Sequence, residues 1–407
     1  MLTLSGYIRR TEAALSEGFN LTHLEDIVFN EPESGIETSL TLLNDLVTQL
    51  STPKHKVTMS ITTKWDGAPA VVVGYDPDGK YFVSLKGVFG SSNPKIAYSE
   101  KEVDALYQGE VASKLKDCFR LLKSVIPSSG IYLGDLLFTR GSKKSETING
   151  VSHISFRPNT ITYAVPADSP IGMKIRAAEM GIVFHTEYSG NDFKSMRSSP
   201  LSSFSRFKKS TNVWVTDATL PKPPSGTFVP PSEAATIAAI VKQINSLKSK
   251  AKTMAVMLSK QKWWSELKPT INGAVRAGIS SVNTSMLKSH LTTKYTVASQ
   301  KLKTASGQEK KMQELKEALD FIDSYSSQID DLFKVHGLLA QAKMIIINQL
   351  AIGSNGIGTY VPTDNGLKAT APEGFVAVCG KTCQVIKLVD RMEFSRMNFN
   401  LAKDWKK

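Results

Sequence analysis

The sequence predicts an α+β protein, an antiparallel-sheet domain interrupted by a helical insertion. Three observations carry this expectation. Residues 56–220 hold alternating, β-branched stretches separated by turn chemistry. Residues 236–352 contain scarcely any proline and repeat apolar positions at helical spacing. Alternation then returns in "EGFVAVCGKTCQVIKLVD", from Glu373 to Asp390.

The elements follow in chain order. Residues 1–55 read as an N-terminal helical segment, in which "IETSLTLLNDLVTQL" puts Leu40, Leu43, Leu46, Val47 and Leu50 on one face. Residues 56–220 form the first part of the β domain, opening with the strand "KVTMSITTKW". The "DPDG" at Asp76 to Gly79 is strong turn chemistry, so Val71–Tyr75 and Tyr81–Leu85 pair as a hairpin. A helix is expected near Glu100–Val125, then a strand from Gly130 to Thr139. "NTITYAVPA", "MGIVFHTEY" and "TNVWVTDA" are further strands.

Residues 221–235 make a Pro-rich linker. Ser232 is expected to cap the first helix of the insertion, with Glu233 in its first turn. Within residues 236–352, "MQELKEALDFIDSYSSQIDDLF" is amphipathic and "GLLAQAKMIIINQLA" reads as buried. Residues 353–407 close the domain with a hairpin, its turn at "CGKTC", and a tail.

Composition bounds the function classes. With 41% hydrophobic and 21% charged residues, the 407-residue chain has ordinary globular usage. No stretch approaches the roughly 18 apolar residues of a membrane span, so no membrane partner is expected. "MLTLSGYIRRTEAALSEG" has its arginines after the apolar residues and no clear cleavage site, unlike a signal peptide. Cys118, Cys379 and Cys383 are odd in number and lack a zinc pattern, although the last two can meet across a hairpin. A reduced, cytoplasmic protein is the expectation.

Charge is concentrated. Val241 to Lys311 holds 14 Lys and Arg against two acids, a net +12 of the chain's +13. Such a cluster suits a phosphate backbone, and Lys248, Lys250, Lys252, Lys260 and Lys262 are the candidate nucleic-acid-binding residues. A solvated helical face would carry the same lysines. "WW" at Trp263–Trp264 can stack bases or pack a helix, with packing the default.

The chemistry-bearing strings lie outside that segment. Lys64-Trp65-Asp66-Gly67 sits where a strand ends before "APAVVVG". Alone, K-x-D-G arises by chance in roughly one chain in ten of this length. It is followed by Lys86 at the end of the next strand, by Gly134-Asp135, by Tyr163 in "ITYAVP", by Glu373-Gly374-Phe375-Val376, and by Lys387 in "VIKLVDR". In this order the strings resemble the signature of the covalent nucleotidyltransferases, the ATP-dependent RNA and DNA ligases and the mRNA capping enzymes. The resemblance covers roughly residues 55–220 and 370–395 and leaves the insertion outside. The tail "KLVDRMEFSRMNF" is also similar to ligase-like proteins of large tailed phages, which would place the protein in the host cytoplasm.

The resemblance implies an antiparallel-sheet adenylation domain and a lysyl–AMP intermediate on Lys64. It gives Asp66, positioning the ribose or the lysine loop, and Lys387 catalytic positions, and Gly67, Lys86, Tyr163 and Glu373 nucleotide-binding ones; Tyr163 would lie beneath the purine, although a strand tyrosine in that setting reads first as core. Asp135 and Glu373 would hold Mg2+, or Mn2+, beside the ATP phosphates. The sequence departs from the pattern at four places. Lys86 stands where an arginine is usual, Asp135 where Glu is usual, and Val389 where a second lysine is common. The chain also ends about twenty residues beyond the last motif, too soon for an OB-fold, so a partner protein or the basic insertion would supply that function. RNA is favoured over DNA as the strand to be joined. A capping-type guanylyltransferase and a non-catalytic nucleic-acid-binding protein with a ligase-like fold are the alternatives. Trp65 reads as a base-stacking or half-buried strand aromatic, and His185 as a satisfied β-sheet histidine.

Overall fold

The computed structural model describes residues 22–52, 59–201, 203–220, 226–352, 357–363, 366–379 and 384–396. Its strands are β1 (Thr22–His23), β2 (Met59–Lys64), β3 (Ala70–Tyr75), β4 (Tyr81–Leu85), β5 (Ile131–Thr139), β6 (Lys143–Ile148), β7 (Val151–Phe156), β8 (Thr162–Pro166), β9 (Met180–Ser189), β10 (Arg197–Pro200), β11 (Val213–Asp217), β12 (Gly358–Thr363), β13 (Gly366–Ala369), β14 (Gly374–Cys379) and β15 (Val385–Val389). Its helices are α1 (Ile27–Asn30), α2 (Gly35–Ser51), α3 (Glu100–Leu106), α4 (Gly109–Leu122), α5 (Pro170–Ala177), α6 (Pro231–Ser259), α7 (Leu267–Ala277), α8 (Thr284–Gln300), α9 (Ala305–Ser324) and α10 (Ser326–Ile352). The protein is thus mixed α+β, as the sequence predicts, and its strand pairs are antiparallel except β1–β15 and β11–β9.

Three sheets organise the strands. A small sheet runs β1-β15-β14-β2, a central one β10-β9-β5-β3-β4 with β11 alongside β9, and a third β13-β12-β8-β7-β6. The small sheet separates two environments by simple alternation. Met59, Phe375, Ala377, Cys379, Ile386 and Leu388 face a core shared with α2, α6 and α10. Ser60, Thr62, Lys64, Val376, Val378 and Val385 face the other way, into a cavity. The N-terminal helix and the helical segment therefore form one layer on the back of this sheet, with a single apolar core.

The predicted hairpin forms in register, with Val71 opposite Leu85 and Tyr75 opposite Tyr81. Several boundaries differ. The helix expected over Glu100–Val125 is two helices, because Tyr107 and Gln108 are extended between them. Ser232 does not cap the insertion: α6 begins one residue earlier at Pro231, whose missing N–H suits the first helical position, and Glu233 lies in its first turn. The last five residues assigned to the linker are thus helical. The amphipathic stretch from Met312 divides at Tyr325 into α9 and α10.

The expectation that no segment is apolar enough to cross a membrane needs correction. By length and composition alone, α10 qualifies. It is apolar on several faces because it lies inside the helical layer, where Ile329, Leu332, Leu339, Ile346 and Leu350 are buried. Cys118 and Cys379 are buried and form no disulfide among the described residues. Cys383, the hairpin turn at 380–383, residues 1–21, 221–225 of the linker and the tail beyond 396 lie outside the described residues.

Candidate functional site

The site is built at a corner of the chain. Lys64 is the last residue of β2 in the small sheet, and Ala70 is the first of β3 in the central sheet. Trp65 to Pro69 make the turn between them. Gly67 is required there: a Cβ on it would lie 2.5 Å from Asp135 Cβ. The absence of a side chain lets the turn close on β5, where Ala68 N–H donates to Leu136 O at 2.9 Å.

Asp66 is 5% exposed, and its carboxylate is fully engaged. It accepts from Asn159 Nδ2 at 2.7 Å, Thr160 N at 2.6 Å and Ile161 N at 2.8 Å, while its own N–H donates to Tyr163 Oη at 2.7 Å. Asp66 therefore clamps the loop before β8 against the lysine turn. These bonds leave Tyr163 behind the site. It is 4% exposed, packed between Trp65 and Phe156, and does not line the cavity. The purine platform expected at Tyr163 is corrected on this ground: its ring is core and its hydroxyl is a support. Trp65 lines the cavity but is 7% exposed, so the packed alternative describes most of its surface.

Glu373 arrives from the far end of the chain. Strand β14 pairs with β2 so that Gly374 is opposite Lys64. Gly374 has φ +145°, and a Cβ there would fall 2.2 Å from Leu388 O. Only glycine fits, and the conformation turns Glu373 back toward the lysine. Lys64 Nζ lies 2.5 Å from Glu373 Oε1. Glu373 is 6% exposed, and its Oε2 has no partner among the described residues. Burial raises its carboxyl to about 7, outweighing the attraction of Lys64, with Asp66 and Asp135 adding repulsion.

Lys387 sits one strand further. Val376 is paired with both Thr62 and Lys387, so Lys387 shares the face that carries Lys64. Burial lowers its pKa first, then the charge of Lys64, with a further contribution from Lys86 against the opposing pull of Glu373. Lys86, exposed at the end of β4, lines the cavity, as does Asp135 on β5. The cavity occupies about 460 Å³ between the small and central sheets, within the range of small-molecule sites.

His185 is the β-sheet histidine the sequence leads one to expect, with a polar neighbour at each ring nitrogen, and its place on the cavity is what the sequence did not give. It lines the cavity, with Nε2 3.4 Å from Asp135 Oδ2 and Nδ1 2.8 Å from Thr186 Oγ1. Its alternation with Phe184 put it on the polar face of β9, but nothing in the sequence gave the pairing of β9 with β5. Asn159, Thr186 and Tyr188 complete the wall and had no sequence signal.

The lysines proposed for nucleic acid do not form one face. Lys248 and Lys252 point at Glu37 of α2, at 3.5 and 3.2 Å, while Lys250, Lys260 and Lys262 are exposed. All lie in the layer behind the small sheet, across it from the cavity. Trp263 is 4% exposed and edge-on to Phe321, and Trp264 packs on Phe29, so both serve packing.

Fold and site together define a mixed α+β protein with a lysine–carboxylate cavity between two sheets. Residues 19–403 match DUF6267, a family of unknown function, and the chain belongs to that family. No curated protein and no solved structure matches it.

Proposed function

We propose that the protein is a polynucleotide ligase-like nucleotidyltransferase of adenylation-domain type that transfers AMP through Lys64, with RNA ends favoured over DNA ends. The observation that supports this most is the meeting of Lys64 and Glu373, 309 residues apart in sequence, with Asp135 and Lys86 on the same cavity. Chance K-x-D-G and E-G-x-V strings have no reason to meet there.

The chemistry assigns each group a task. Lys64 attacks the α-phosphorus of ATP as a neutral amine, forming a P–N bond as the bond to pyrophosphate breaks. Glu373 Oε1 is the adjacent base for the ammonium proton, and its raised pKa lets it hold that proton near neutrality. Lys86 and Lys387 offset the charge that develops on the phosphate oxygens. Asp66 keeps the lysine turn in place. Asp135 and the free Oε2 of Glu373 are hard oxygen donors suited to Mg2+ or Mn2+, which when bound would lend positive charge to the phosphates. AMP then passes to a 5′-phosphate, and a 3′-hydroxyl displaces it.

Incubation with α-labelled ATP, and separately with α-labelled GTP, tests this. Acid-labile label from ATP, discharged by pyrophosphate and absent in Lys64→Ala, is the expected result. Label from GTP alone would move the assignment to capping chemistry. No label from either, with the fold intact, would leave a nucleic-acid-binding protein that uses this fold without catalysis.

A further inference from the structure

Strand β9 is irregular where it borders the Lys64 cavity. It pairs with β5 so that Thr186 is opposite Leu133, and the next pair is Phe184 opposite Gly134. His185 is the extra residue, with no β5 residue opposite it. Such a bulge puts two consecutive side chains on one face of the sheet, which a regular strand does not do. His185 and Thr186 therefore both line the cavity, beside Leu133 and Asp135 of β5. Gly134 lets the bulge close, because a Cβ there would lie 2.6 Å from Val183 O and 2.8 Å from the Phe184 ring.

The bulge brings a nitrogen and an oxygen donor together. His185 Nε2 lies 3.4 Å from Asp135 Oδ2, and Nδ1 lies 2.8 Å from Thr186 Oγ1. The first separation is long for a charge-assisted hydrogen bond, which runs about 2.7–2.9 Å. It is close to the spacing of two donors on one small divalent ion, about 3.0–3.4 Å for bonds of roughly 2.1 Å. When Nδ1–H donates to Thr186, the Nε2 lone pair faces the carboxylate, and only a proton or a cation reconciles the two acceptors. Both side chains are within reach of solvent, 28% exposed for His185 and 22% for Asp135. Asp135 is also the acid that the cavity leaves over. Lys64 engages Glu373, and Asp66 is taken by Asn159 and two backbone N–H groups. Among the described residues no lysine or arginine is in contact with Asp135.

We propose that Asp135 and His185 form a mixed oxygen–nitrogen seat for a divalent cation, and that this seat selects Mn2+ over Mg2+. Mg2+ takes oxygen ligands in near-ideal geometry, whereas an imidazole nitrogen suits the transition series. Thr186 orients the ring as a partner on the second nitrogen does for a metal-binding histidine. Two protein ligands suffice where phosphate oxygens and water complete the shell. In that respect the proposal rests on the nucleotide reading of the cavity, and it narrows the metal of that reading to one. Its test requires no nucleotide, so failure of AMP transfer and failure of this seat are separate results.

Electron paramagnetic resonance of Mn2+ titrated into the full chain, without nucleotide, tests this. Saturable binding is expected, and the electron spin echo of the bound ion should show coupling to a nitrogen nucleus. His185→Ala should remove that coupling and weaken binding at least about tenfold, and Asp135→Asn should weaken it to a similar extent. A roughly tenfold excess of Mg2+ should leave most of the Mn2+ bound. Absence of saturable Mn2+ binding, bound Mn2+ without nitrogen coupling, coupling that persists in His185→Ala, or displacement by an equal concentration of Mg2+ would overturn the proposal. The nitrogen coupling and the Mg2+ competition are read on the unaltered protein, so neither depends on how a variant folds.

Discussion

Glu373 concentrates the physics of the first site. Its ordinary pKa of 4.5 is raised to about 7 in the folded protein. Between those values the folded chain keeps a proton that the unfolded chain has lost, so this residue lowers stability as pH rises through the window. Glu373→Gln removes the effect. The variant should gain stability relative to the parent from pH 4.5 to 7.5, by up to roughly 3 kcal/mol. Denaturant titrations at the two pH values check this, and parallel pH dependences would contradict it. The same substitution should remove nucleotide labelling, because Lys64 loses its base. Gly374→Ala should be worse for the fold: its Cβ would strike Leu388 O at 2.2 Å, so a fall in midpoint is expected together with loss of labelling.

Among the elements, the strand pairs were the most legible part of the sequence. The alternation of "VVVGY" and "YFVSL" about a turn dictated their hairpin, and "FVAVC" and "VIKLV" did the same for β14 and β15. Pairing between distant strands was not legible, since alternation fixes which side chains share a face but not which strand lies beside them. That is why the motif order pointed to Lys64, Asp135 and Glu373, while the place of His185 on the cavity was hidden and the choice between core and purine platform for Tyr163 was open until the fold put it in the core. The lysine count of the insertion was likewise plain, but not that Glu37 engages Lys248 and Lys252. For the helices, Gly337→Ala should stabilise the protein by about 0.5–1 kcal/mol, measurable by chemical denaturation, because propensity improves with no clash. A loss of stability would mean that α10 is packed more closely there. Polynucleotide binding by the exposed lysines should weaken with salt. Replacing Lys250, Lys260 and Lys262 with Ala should reduce the slope of log K against log salt by about three, if each meets one phosphate. Labelling of Lys64 should survive that triple substitution, since the helical layer lies across the small sheet from the cavity.

At the scale of the whole molecule, distant segments are joined by charges that the sequence pattern hid. Glu25 and Asp26 precede α1, Lys343 lies near the end of α10, and Arg391 follows β15, yet the four charges meet in one buried cluster. It ties the start of the described chain, the helical layer and the strand bearing Lys387 to each other. Lys343→Met removes the hydrogen-bonded partner of the buried Glu25, leaving only Arg391 at 3.8 Å, and should cost about 3–5 kcal/mol, read as a drop in unfolding free energy. A change under about 1 kcal/mol would mean that water or rearrangement solvates Glu25. The cluster lies behind the sheet, and the cavity that would take a nucleotide lies before it. In the proposed reaction this front cavity makes Lys64 a nucleophile. Its most direct test is intact-mass analysis of the protein after incubation with ATP and magnesium, followed by peptide mapping. An adenylyl group on the peptide containing Lys64, absent in Lys64→Ala, is the predicted result. No adduct on correctly folded protein, or an adduct that persists in Lys64→Ala, would contradict it.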